Sequence, residues 1–253
     1  MITVVLPIFN EANGISGFLN ELNENLIDFS PHFIAVDDQS TDNTNSILRD
    51  LKSNGFPISI IQNEVNRGHG FSVITGIKKA TELSPNLIVI CDGDGQFNGA
   101  DVKMLVELQF RNPNSIVEGA RFGRNDPWFR EFISLATRVL VSISCGKTPK
   151  DANTPLRVLP LEKAVFLISK IEENCLIPNL AISAFSRVAK FEVLQIDVRS
   201  LPPRRNIDSI DQWKQKTNFL PSKRLLRFAF FATISWKNIA IQCFKIRKFR
   251  SKI

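Results

Sequence analysis

The chain has 253 residues, of which 43% are hydrophobic and 23% are charged, and its formal net charge is +7. This length and apolar content allow a large buried core and exclude an intrinsically disordered protein. The charge is uneven, because residues 199–253 carry 14 Lys and Arg against two acids, a net +12, which leaves −5 for residues 1–198. We therefore predict an acidic body followed by a basic tail.

Four cysteines, Cys91, Cys145, Cys175 and Cys243, are scattered along the chain without a C-x-x-C pair. This spacing does not fit a structural zinc site. Since no secretory signal precedes the first apolar run, we expect a reducing, cytoplasmic setting.

Five apolar runs alternate with helical patterns along the body. The runs are ITVVLPIF (2–9), FIAVDD (33–38), ISIIQN (58–63), LIVICD (87–92) and SIVEGARF (115–122). They are continuous, which is typical of central parallel strands covered on both faces. Apolar residues at helical spacing lie between them, namely Ile15, Phe18, Leu19, Leu22 and Leu26, then Ile47, Leu48 and Leu51, then Val73, Ile74 and Ile77. Repeated β-α units predict an α/β sandwich with a mostly parallel sheet.

Each of the first four predicted strands ends in a polar loop. The loops read PIFNEANG, DDQSTDNT, NEVNRGHG and DGDGQ. Ligands bind beyond the carboxyl ends of the strands in such sheets, so we expect the four loops to gather at one edge. Helix capping by Asn10, Asn13 or Ser40 and Thr41 explains any one loop. Capping alone does not explain all four.

Asp92 and Asp94 lie one residue apart at the end of the fourth predicted strand. Two carboxylates this close repel each other unless a cation neutralises them, so the pair indicates a metal site. The alternative is a polar turn in which Gly93 and Gly95 supply unusual backbone angles.

The order and spacing of these loops resemble those of the family 2 glycosyltransferases. Their GT-A fold carries the patterns P-x-[YF]-N-E, V-D-D-x-S-x-D-x-T, N-x-G-x-[GA] and Asp-x-Asp. The matching residues are Pro7, Phe9, Asn10 and Glu11; Val36, Asp37, Asp38, Ser40, Asp42 and Thr44; Asn66, Gly68 and Gly70; and Asp92 and Asp94. One departure is Gln39, where the family usually has glycine.

The resemblance implies a GT-A, Rossmann-like three-layer sandwich over residues 1–210 and a nucleotide-sugar donor, a UDP- or GDP-sugar. It places the base and ribose against the Pro7–Glu11 loop and Asp38, and Asp94 on a Mg²⁺ or Mn²⁺ ion that neutralises the leaving diphosphate. Asp92 would lie against the ribose or beside the metal. Arg67 is the expected diphosphate contact, and Gly68 is expected to bind the nucleotide sugar. Gly93 and Gly95 allow close approach of the backbone to the nucleotide. We expect His69 to be an ordinary loop histidine, outside the catalytic set.

DANTPLR (151–157) resembles the D-x-x-[ST]-G-[FY]-R stretch of the polyprenyl-phosphate sugar transferases, relatives of dolichyl-phosphate mannosyltransferase. Asp151, Thr154 and Arg157 match, whereas Pro155 and Leu156 replace the usual glycine and aromatic residue. The resemblance implies catalytic roles for Asp151 and Arg157 and an acceptor contact for Thr154. The alternative is a surface loop in which the Asp and the Arg pair.

PPRRNIDS (202–209) stands where those relatives carry R-x-x-G-x-S. Arg204 and Ser209 keep the ends of that pattern, and Ile207 replaces the glycine. The planar fork of arginine binds phosphate bidentately, so we expect Arg204 or Arg205 to contact phosphate. A solvated surface pair is the alternative.

Residues 211–253 form the predicted basic tail, which includes RLLRFAFFATISWKNIAIQCFKIRKFRSK (224–252). Its longest uncharged stretch, 228–236, is far shorter than the ~20 residues of a membrane span. The composition predicts an amphipathic helix on an anionic membrane surface. The alternative is a helix packed on the body with solvated basic residues. No nucleic-acid motif accompanies the run, so we expect no nucleic-acid partner.

These features predict a metal-dependent inverting glycosyltransferase at the cytoplasmic face of the membrane that transfers a sugar to a polyprenyl phosphate. Such a phosphate, with a second pKa of about 6, needs little base catalysis, and Asp151 would orient the acceptor or the metal. If the acceptor is a sugar hydroxyl, as in polysaccharide or O-antigen assembly, Asp151 becomes the general base. A nucleotide-sugar-binding protein without transferase activity is the remaining alternative.

Overall fold

The computed structural model describes residues 1–123, 128–146, 148–204 and 223–250, without the side chains of 128–133, 223–233 and 249–250. Within these ranges seven strands form one sheet. They are β1 (Ile2–Ile8), β2 (Pro31–Asp37), β3 (Ile58–Gln62), β4 (Leu87–Ile90), β5 (Ser115–Phe122), β6 (Arg157–Pro160) and β7 (Glu192–Arg199). The strand order is β3-β2-β1-β4-β6-β5-β7.

Eight α-helices connect or follow the strands in the described ranges. They are α1 (Ile15–Leu26), α2 (Thr44–Ser53), α3 (His69–Glu82), α4 (Gly99–Arg111), α5 (Trp128–Cys145), α6 (Leu161–Ile168), α7 (Pro178–Val188) and α8 (Lys223–Arg250). No helix in the described ranges has the length and apolar character that crossing a membrane requires.

The sheet is parallel except at β6. β1 pairs in parallel with β2 and β4, β2 with β3, and β5 with β7, whereas β6 is antiparallel to both β4 and β5. The five predicted strands and the mostly parallel sheet are confirmed. The prediction that all five are central is wrong for β3, which lies at an edge and is only partly buried.

The strands supply two apolar clusters because successive side chains point to opposite faces of the sheet. In β1, Ile2, Val4, Leu6 and Ile8 pack with residues of α1 and α4, whereas Val5 packs with residues of α3 and α7 on the other face. The helical positions predicted in α1 are all buried. Two helical layers around one sheet make the three-layer sandwich that the sequence predicts.

The last described helix contributes to one of these clusters. Ile239, Cys243 and Ile246 of α8 are buried in the cluster on the α3 and α7 side of the sheet, together with Val141 of α5. One face of α8 therefore packs on the body. Residues 211–222 and 251–253 of the predicted tail lie outside the described residues.

A buried charge cluster joins the antiparallel strand to its neighbours. Glu118 of β5 and Arg157 of β6 are 0% exposed and form an ion pair. The other oxygen of Glu118 accepts hydrogen bonds from Arg187 Nη2 at 2.8 Å and from Gln195 Nε2 at 2.9 Å. Arg157 Nη2 also donates to the carbonyl of Asn179 at 2.9 Å. The cluster thus ties β5, β6, β7 and α7 together.

Replacing Glu118 with Gln should destabilise the fold strongly, because the change removes the negative charge that compensates the buried Arg157 guanidinium. Breaking a buried pair in this way typically costs about 3–5 kcal/mol. Urea unfolding of Glu118→Gln should show this loss.

Glu173→Gln is the matched control, since Glu173 forms an ion pair with Lys78 on the exposed surface. That change should alter the free energy of unfolding by less than about 1 kcal/mol. Equal losses in the two variants would contradict the structural role given to the buried cluster.

Candidate active site

The loops after β1, β2, β3 and β4 meet at one edge of the sheet and surround a cavity of about 390 Å³. Parallel pairing places Ile8 of β1 beside Asp37 of β2, so the loops that follow start level with each other. The predicted residues that line the cavity are Pro7, Phe9, Glu11, Asp38, Gly68, Asp92, Gly93 and Asp94. Asn10 and Arg67, which were also predicted, do not line it.

Asn10 instead fastens the first loop to the second. Its backbone N–H donates to Ser40 Oγ at 3.0 Å, and its side-chain oxygen accepts from the Thr41 N–H at 2.8 Å. The next residue, Glu11, donates its N–H to Thr44 Oγ1 at 2.9 Å, is 4% exposed and lines the cavity. The motif hydroxyls therefore position the first loop.

Gln39 lies in the left-handed region of backbone conformation, with φ of 62°. Non-glycine residues pay about 1–2 kcal/mol there, which explains why glycine is usual at this position in the family. The side-chain oxygen of Gln39 is buried without a hydrogen-bond partner among the described residues. Gln39 therefore keeps the turn geometry at the cost of strain, and no motif carboxylate is lost.

Asp38 organises the third loop. One of its carboxylate oxygens accepts from Asn63 Nδ2 at 2.7 Å and from the Arg67 N–H at 2.9 Å, and the other accepts from the Gly68 N–H at 2.7 Å. The guanidinium of Arg67 is stacked on the ring of Phe71, with Cζ 3.4 Å from the ring centroid. The carboxylate expected to hold a nucleoside thus also shapes the loop opposite it.

Gly93 and Gly95 have packing reasons to be glycine. A Cβ atom at Gly93 would lie 2.8 Å from Cγ1 of Ile8, and one at Gly95 would lie 2.6 Å from Cδ of Arg204. Gly95 also has a φ of +72°. The expectation that these glycines allow close approach of a nucleotide stays a prediction beside these packing contacts, and Gly93 lines the cavity.

The two aspartates of the DGD motif (residues 92–94), Asp92 and Asp94, both line the cavity but have different neighbours. The Asp94 carboxylate accepts hydrogen bonds from the backbone N–H of Gln96 at 3.2 Å and from the Gln96 side-chain amide. Oδ1 of Asp92 is buried and has no hydrogen-bond partner among the described residues; the Nε2 atom of His69 lies 3.6 Å away. A buried carboxylate oxygen without a donor is suited to a cation.

The donor set fits a metal ion that also binds phosphate. No three His, Cys, Asp or Glu side chains of the described ranges form a metal-binding group. Mg²⁺ is commonly held by one or two carboxylates together with substrate phosphates and water. Asp92 and Asp94 match that pattern, since they supply two carboxylates and leave the rest of the coordination to a ligand.

A second cavity of about 430 Å³ adjoins the first, and Gly68, His69 and Asp92 line both. The second cavity is also lined by Arg121, Asn153 and Pro155. His69, which the sequence analysis set aside, therefore lies at the junction of two cavities. The position of His69 between Gly68 and Gly70 was the sequence signal that could have indicated its place beside the cavities.

Asp151 is paired with Arg121 beside this second cavity. Arg121 Nε lies 2.7 Å from Asp151 Oδ2 and Nη2 lies 3.3 Å from Oδ1, and the Asn153 N–H donates to Oδ1 at 3.1 Å. Burial by itself raises the pKa of Asp151, but the hydrogen bonds and charge of Arg121, together with the Asn153 N–H, outweigh burial and hold it below the usual value. Asp151 is therefore an ionised, well-held carboxylate.

Sequence reasoning missed Arg121. It stands near the carboxyl end of β5, and a search that extended the strand-end argument from the first four strands to the fifth would have found it.

Thr154 and Arg157 are 0% exposed and line neither cavity. The Thr154 hydroxyl donates to the Gly119 carbonyl, and Arg157 belongs to the Glu118 cluster. The expectation that either side chain contacts a substrate directly is therefore wrong for this structure. Both side chains support the DANTPLR loop from behind.

Arg204 clamps the DGD loop. Its N–H donates to the Asp94 carbonyl at 2.9 Å, and its Nη2 lies 2.5 Å from Glu21 Oε2. The guanidinium also lies over Phe18, 5.1 Å from the ring centroid. Arg205, Ile207 and Ser209 lie outside the described residues.

Comparison with known proteins agrees with this geometry. The sequence profile of the family described as Glycosyl transferase family 2 matches residues 3–164. A UDP-N-acetylglucosamine--dolichyl-phosphate N-acetylglucosaminyltransferase from Methanococcus voltae is 28% identical over 174 residues, which cover 62% of this chain and 68% of that protein. A dolichol-phosphate mannosyltransferase from Pyrococcus furiosus is 26% identical over 160 residues, covering 61% of this chain but only 44% of that protein.

Solved structures share the fold. A glucosyl-3-phosphoglycerate synthase from Mycobacterium tuberculosis in complex with UDP has a TM-score of 0.64 at 16% identity, covering 95% of this chain and 80% of that one. A mannosyltransferase from Pyrobaculum calidifontis in complex with GDP-Man and Mn²⁺ has a TM-score of 0.58 at 16% identity, covering 97% of this chain and 73% of that one. The sheet, the four loops at its edge and the match over residues 3–164 establish that the chain belongs to glycosyl transferase family 2.

Proposed function

We propose that the chain is a metal-dependent inverting glycosyltransferase that moves a sugar from a nucleotide diphosphate sugar to a polyprenyl phosphate. The observation that carries this proposal is the pair of adjoining cavities, one with the two carboxylates of the DGD motif and one with Arg121. Transfer requires a donor and an acceptor side by side, and a shared boundary at His69 and Asp92 supplies that arrangement. The relatives named for dolichyl phosphate support the acceptor class.

The first cavity is proposed to hold the donor. The Pro7–Glu11 loop and Asp38 would hold the base and ribose, with Gly68 and Gly93 beside the diphosphate. Arg67, which does not line the cavity, is retained as a proposed diphosphate contact. Asp94, with Asp92 next to it, would hold Mg²⁺ or Mn²⁺, which neutralises charge on the leaving nucleoside diphosphate. Oδ1 of Asp92 accepts no hydrogen bond among the described residues, which supports this assignment. The solved neighbours that contain UDP, or GDP-Man with Mn²⁺, support it as well.

The second cavity is proposed to hold the acceptor phosphate. Arg121 brings positive charge to its wall, and the ion pair with Asp151 fixes the direction of the guanidinium. A phosphate monoester is mostly ionised at neutral pH, since its second pKa is about 6. The acceptor is then already a nucleophile, and Asp151 orients Arg121 instead of removing a proton.

The lowered pKa of Asp151 favours this acceptor over a sugar hydroxyl. An efficient general base has a pKa near the working pH and an oxygen within reach of the proton it removes. Asp151 has its pKa below the usual value, and both of its oxygens accept hydrogen bonds from Arg121.

The remaining predicted residues are proposed to hold loops of the site in place without contacting a substrate. Thr154 and Arg157 hold the loop that carries Asp151 and Asn153, and Arg204 holds the backbone of Asp94. We retain Arg205 as a proposed phosphate contact. The same proposal places the chain at the cytoplasmic face of a membrane, where a polyprenyl phosphate would be presented, with the basic tail towards the lipid.

Asp94→Asn should lower sugar transfer by a factor of about 100 or more, because it weakens the electrostatic stabilisation of the leaving diphosphate while preserving side-chain shape. The assay follows a radiolabelled sugar from UDP- or GDP-sugars into polyprenyl phosphate with Mn²⁺ present. Asp28→Asn, at an exposed ion pair with Lys103, is the control and should transfer at the normal rate. Normal, chelator-sensitive transfer by Asp94→Asn would show that the metal is held elsewhere.

Asp151→Asn should reduce transfer to polyprenyl phosphate by only about tenfold at saturating lipid, since removing a true general base typically costs 10²–10⁴-fold. The residual loss comes from a less firmly held Arg121. A far larger loss in the folded variant, with lipid affinity intact, would favour a hydroxyl acceptor.

The same variant should change the acid stability of the protein. Because the folded pKa of Asp151 is depressed, its ion pair contributes stability above the unfolded value of about 3.9 and loses it as the pH falls through the folded value. Asp151→Asn should therefore be less stable at pH 7, and the difference from wild type should shrink below about pH 4. Urea unfolding at a series of pH values measures this difference, and a pH-independent gap would refute the assigned ion pair.

A further inference from the structure

Helix α5 presents an apolar stripe to solvent. Leu135, Val139 and Ile143 recur every four residues, so they lie on one side of the helix, and they are 55%, 46% and 74% exposed. Between residues 134 and 145 the only charged residue is Arg138, whose Nε donates to the Pro149 carbonyl at 3.0 Å. Large apolar side chains in an exposed row usually mark an interaction surface.

Helix α8 presents a second stripe in which apolar and basic residues alternate. Ile234, Ile241 and Phe244 are 49%, 46% and 68% exposed. Lys237, Lys245 and Lys248 are exposed on the same side of the helix, opposite the buried Ile239, Cys243 and Ile246. No Asp or Glu occurs anywhere in residues 212–253.

The two helices meet close to their most exposed apolar residues. Arg247 Nη2 of α8 donates to the Ser144 carbonyl of α5, next to Ile143. Val141 of α5 and Cys243 of α8 belong to the same buried cluster, so both helices turn their other sides to solvent. The two stripes therefore lie on either side of the contact between α5 and α8, although the helices are far apart in the sequence.

We propose that these stripes form one docking surface, the α5–α8 platform, and that its partner is an anionic lipid bilayer. The apolar side chains enter the boundary between headgroups and acyl chains, and the lysine stems lie along that boundary with their ammonium groups on anionic headgroups. This inference rests on the proposed function only in expecting a membrane-borne acceptor. It adds α5, within the body of the fold, to the lipid contact predicted for the tail.

The charges favour a bilayer over a second copy of the chain. A two-fold dimer through this platform would place the same patch on both subunits, so lysines would face lysines with no acid on α8 to compensate them. An anionic bilayer supplies the opposite charge over the whole platform.

The test is sedimentation of the full-length chain with vesicles of phosphatidylcholine and phosphatidylglycerol, and with phosphatidylcholine alone. Ile143→Glu and Phe244→Glu should each lower the affinity for the anionic vesicles about tenfold or more. Each change replaces an apolar side chain that the bilayer would bury with a negatively charged one. Met104→Glu is the matched control, since Met104 is an exposed apolar residue of α4 on the other face of the sheet. It should bind like wild type.

Salt separates the apolar part of binding from the electrostatic part. At about 1 M salt, where the Debye length falls to about 3 Å, wild type should bind more weakly but measurably. Ile143→Glu should no longer bind under that condition. Lys245→Gln with Lys248→Gln should show the reverse pattern, with weaker binding at low salt and little further loss at high salt.

Circular dichroism and donor hydrolysis in solution accompany each variant, and both should stay at wild-type levels because no platform residue lines the donor cavity. Equal binding by Ile143→Glu and Met104→Glu, or an intact chain that ignores anionic vesicles, would overturn the platform. A dimer in light scattering that Ile143→Glu converts to a monomer would identify the surface as a subunit interface. Vesicle binding without any donor turnover would contradict the proposed function and leave the platform standing.

Discussion

The structure depends on the parallel pairing of β1 with β2 on one side and with β4 on the other. This register brings the loops after Ile8, Asp37 and Ile90 to the same edge of the sheet. Parallel strands require helical crossovers, and those helices cover both faces with the two apolar clusters. Polar side chains that are far apart in the sequence therefore line one cavity without any long loop. The direction of the strands decides which polar side chains lie together, and the chemistry of the site depends on that grouping.

Buried charge then fixes the other half of the site. β6 runs against its neighbours, and the Glu118, Arg157 and Arg187 cluster holds it between β4 and β5. The loop that enters β6 carries Asp151, whose ion pair aims Arg121 along the second cavity. The same region thus contains one charge pair with no exposed surface and one at the edge of a cavity. The Glu118–Arg157 pair supports the fold. The Arg121–Asp151 pair orients the Arg121 guanidinium, which we propose contacts a substrate.

The sequence predicts the first five strands, the layers and most of the residues that line the first cavity, because continuous apolar runs and strand-end motifs are local signals. It does not predict β6, whose four residues have no periodicity of their own and become a strand only between β4 and β5. It also cannot tell that Arg121, and not Arg157, lines the second cavity, because the two arginines differ in burial and not in any local sequence signal. The glycines of the DGDGQ loop, Gly93 and Gly95, show the same limit, because the residues that they pack against, Ile8 and Arg204, lie far away in the sequence.

The side chain of Arg204 packs directly over Gly95, so the sizes of the residues at these two positions depend on each other. Any side chain at position 95 would occupy the space that now holds the Cγ, Cδ and Nε atoms of Arg204. A larger residue at position 95 therefore requires the Arg204 side chain to move aside or position 204 to carry a smaller residue, whereas the backbone N–H of residue 204 can still donate to the Asp94 carbonyl. A homologous chain with a larger residue at position 95 should therefore carry a smaller or differently placed side chain at position 204, for a steric reason and not a chemical one.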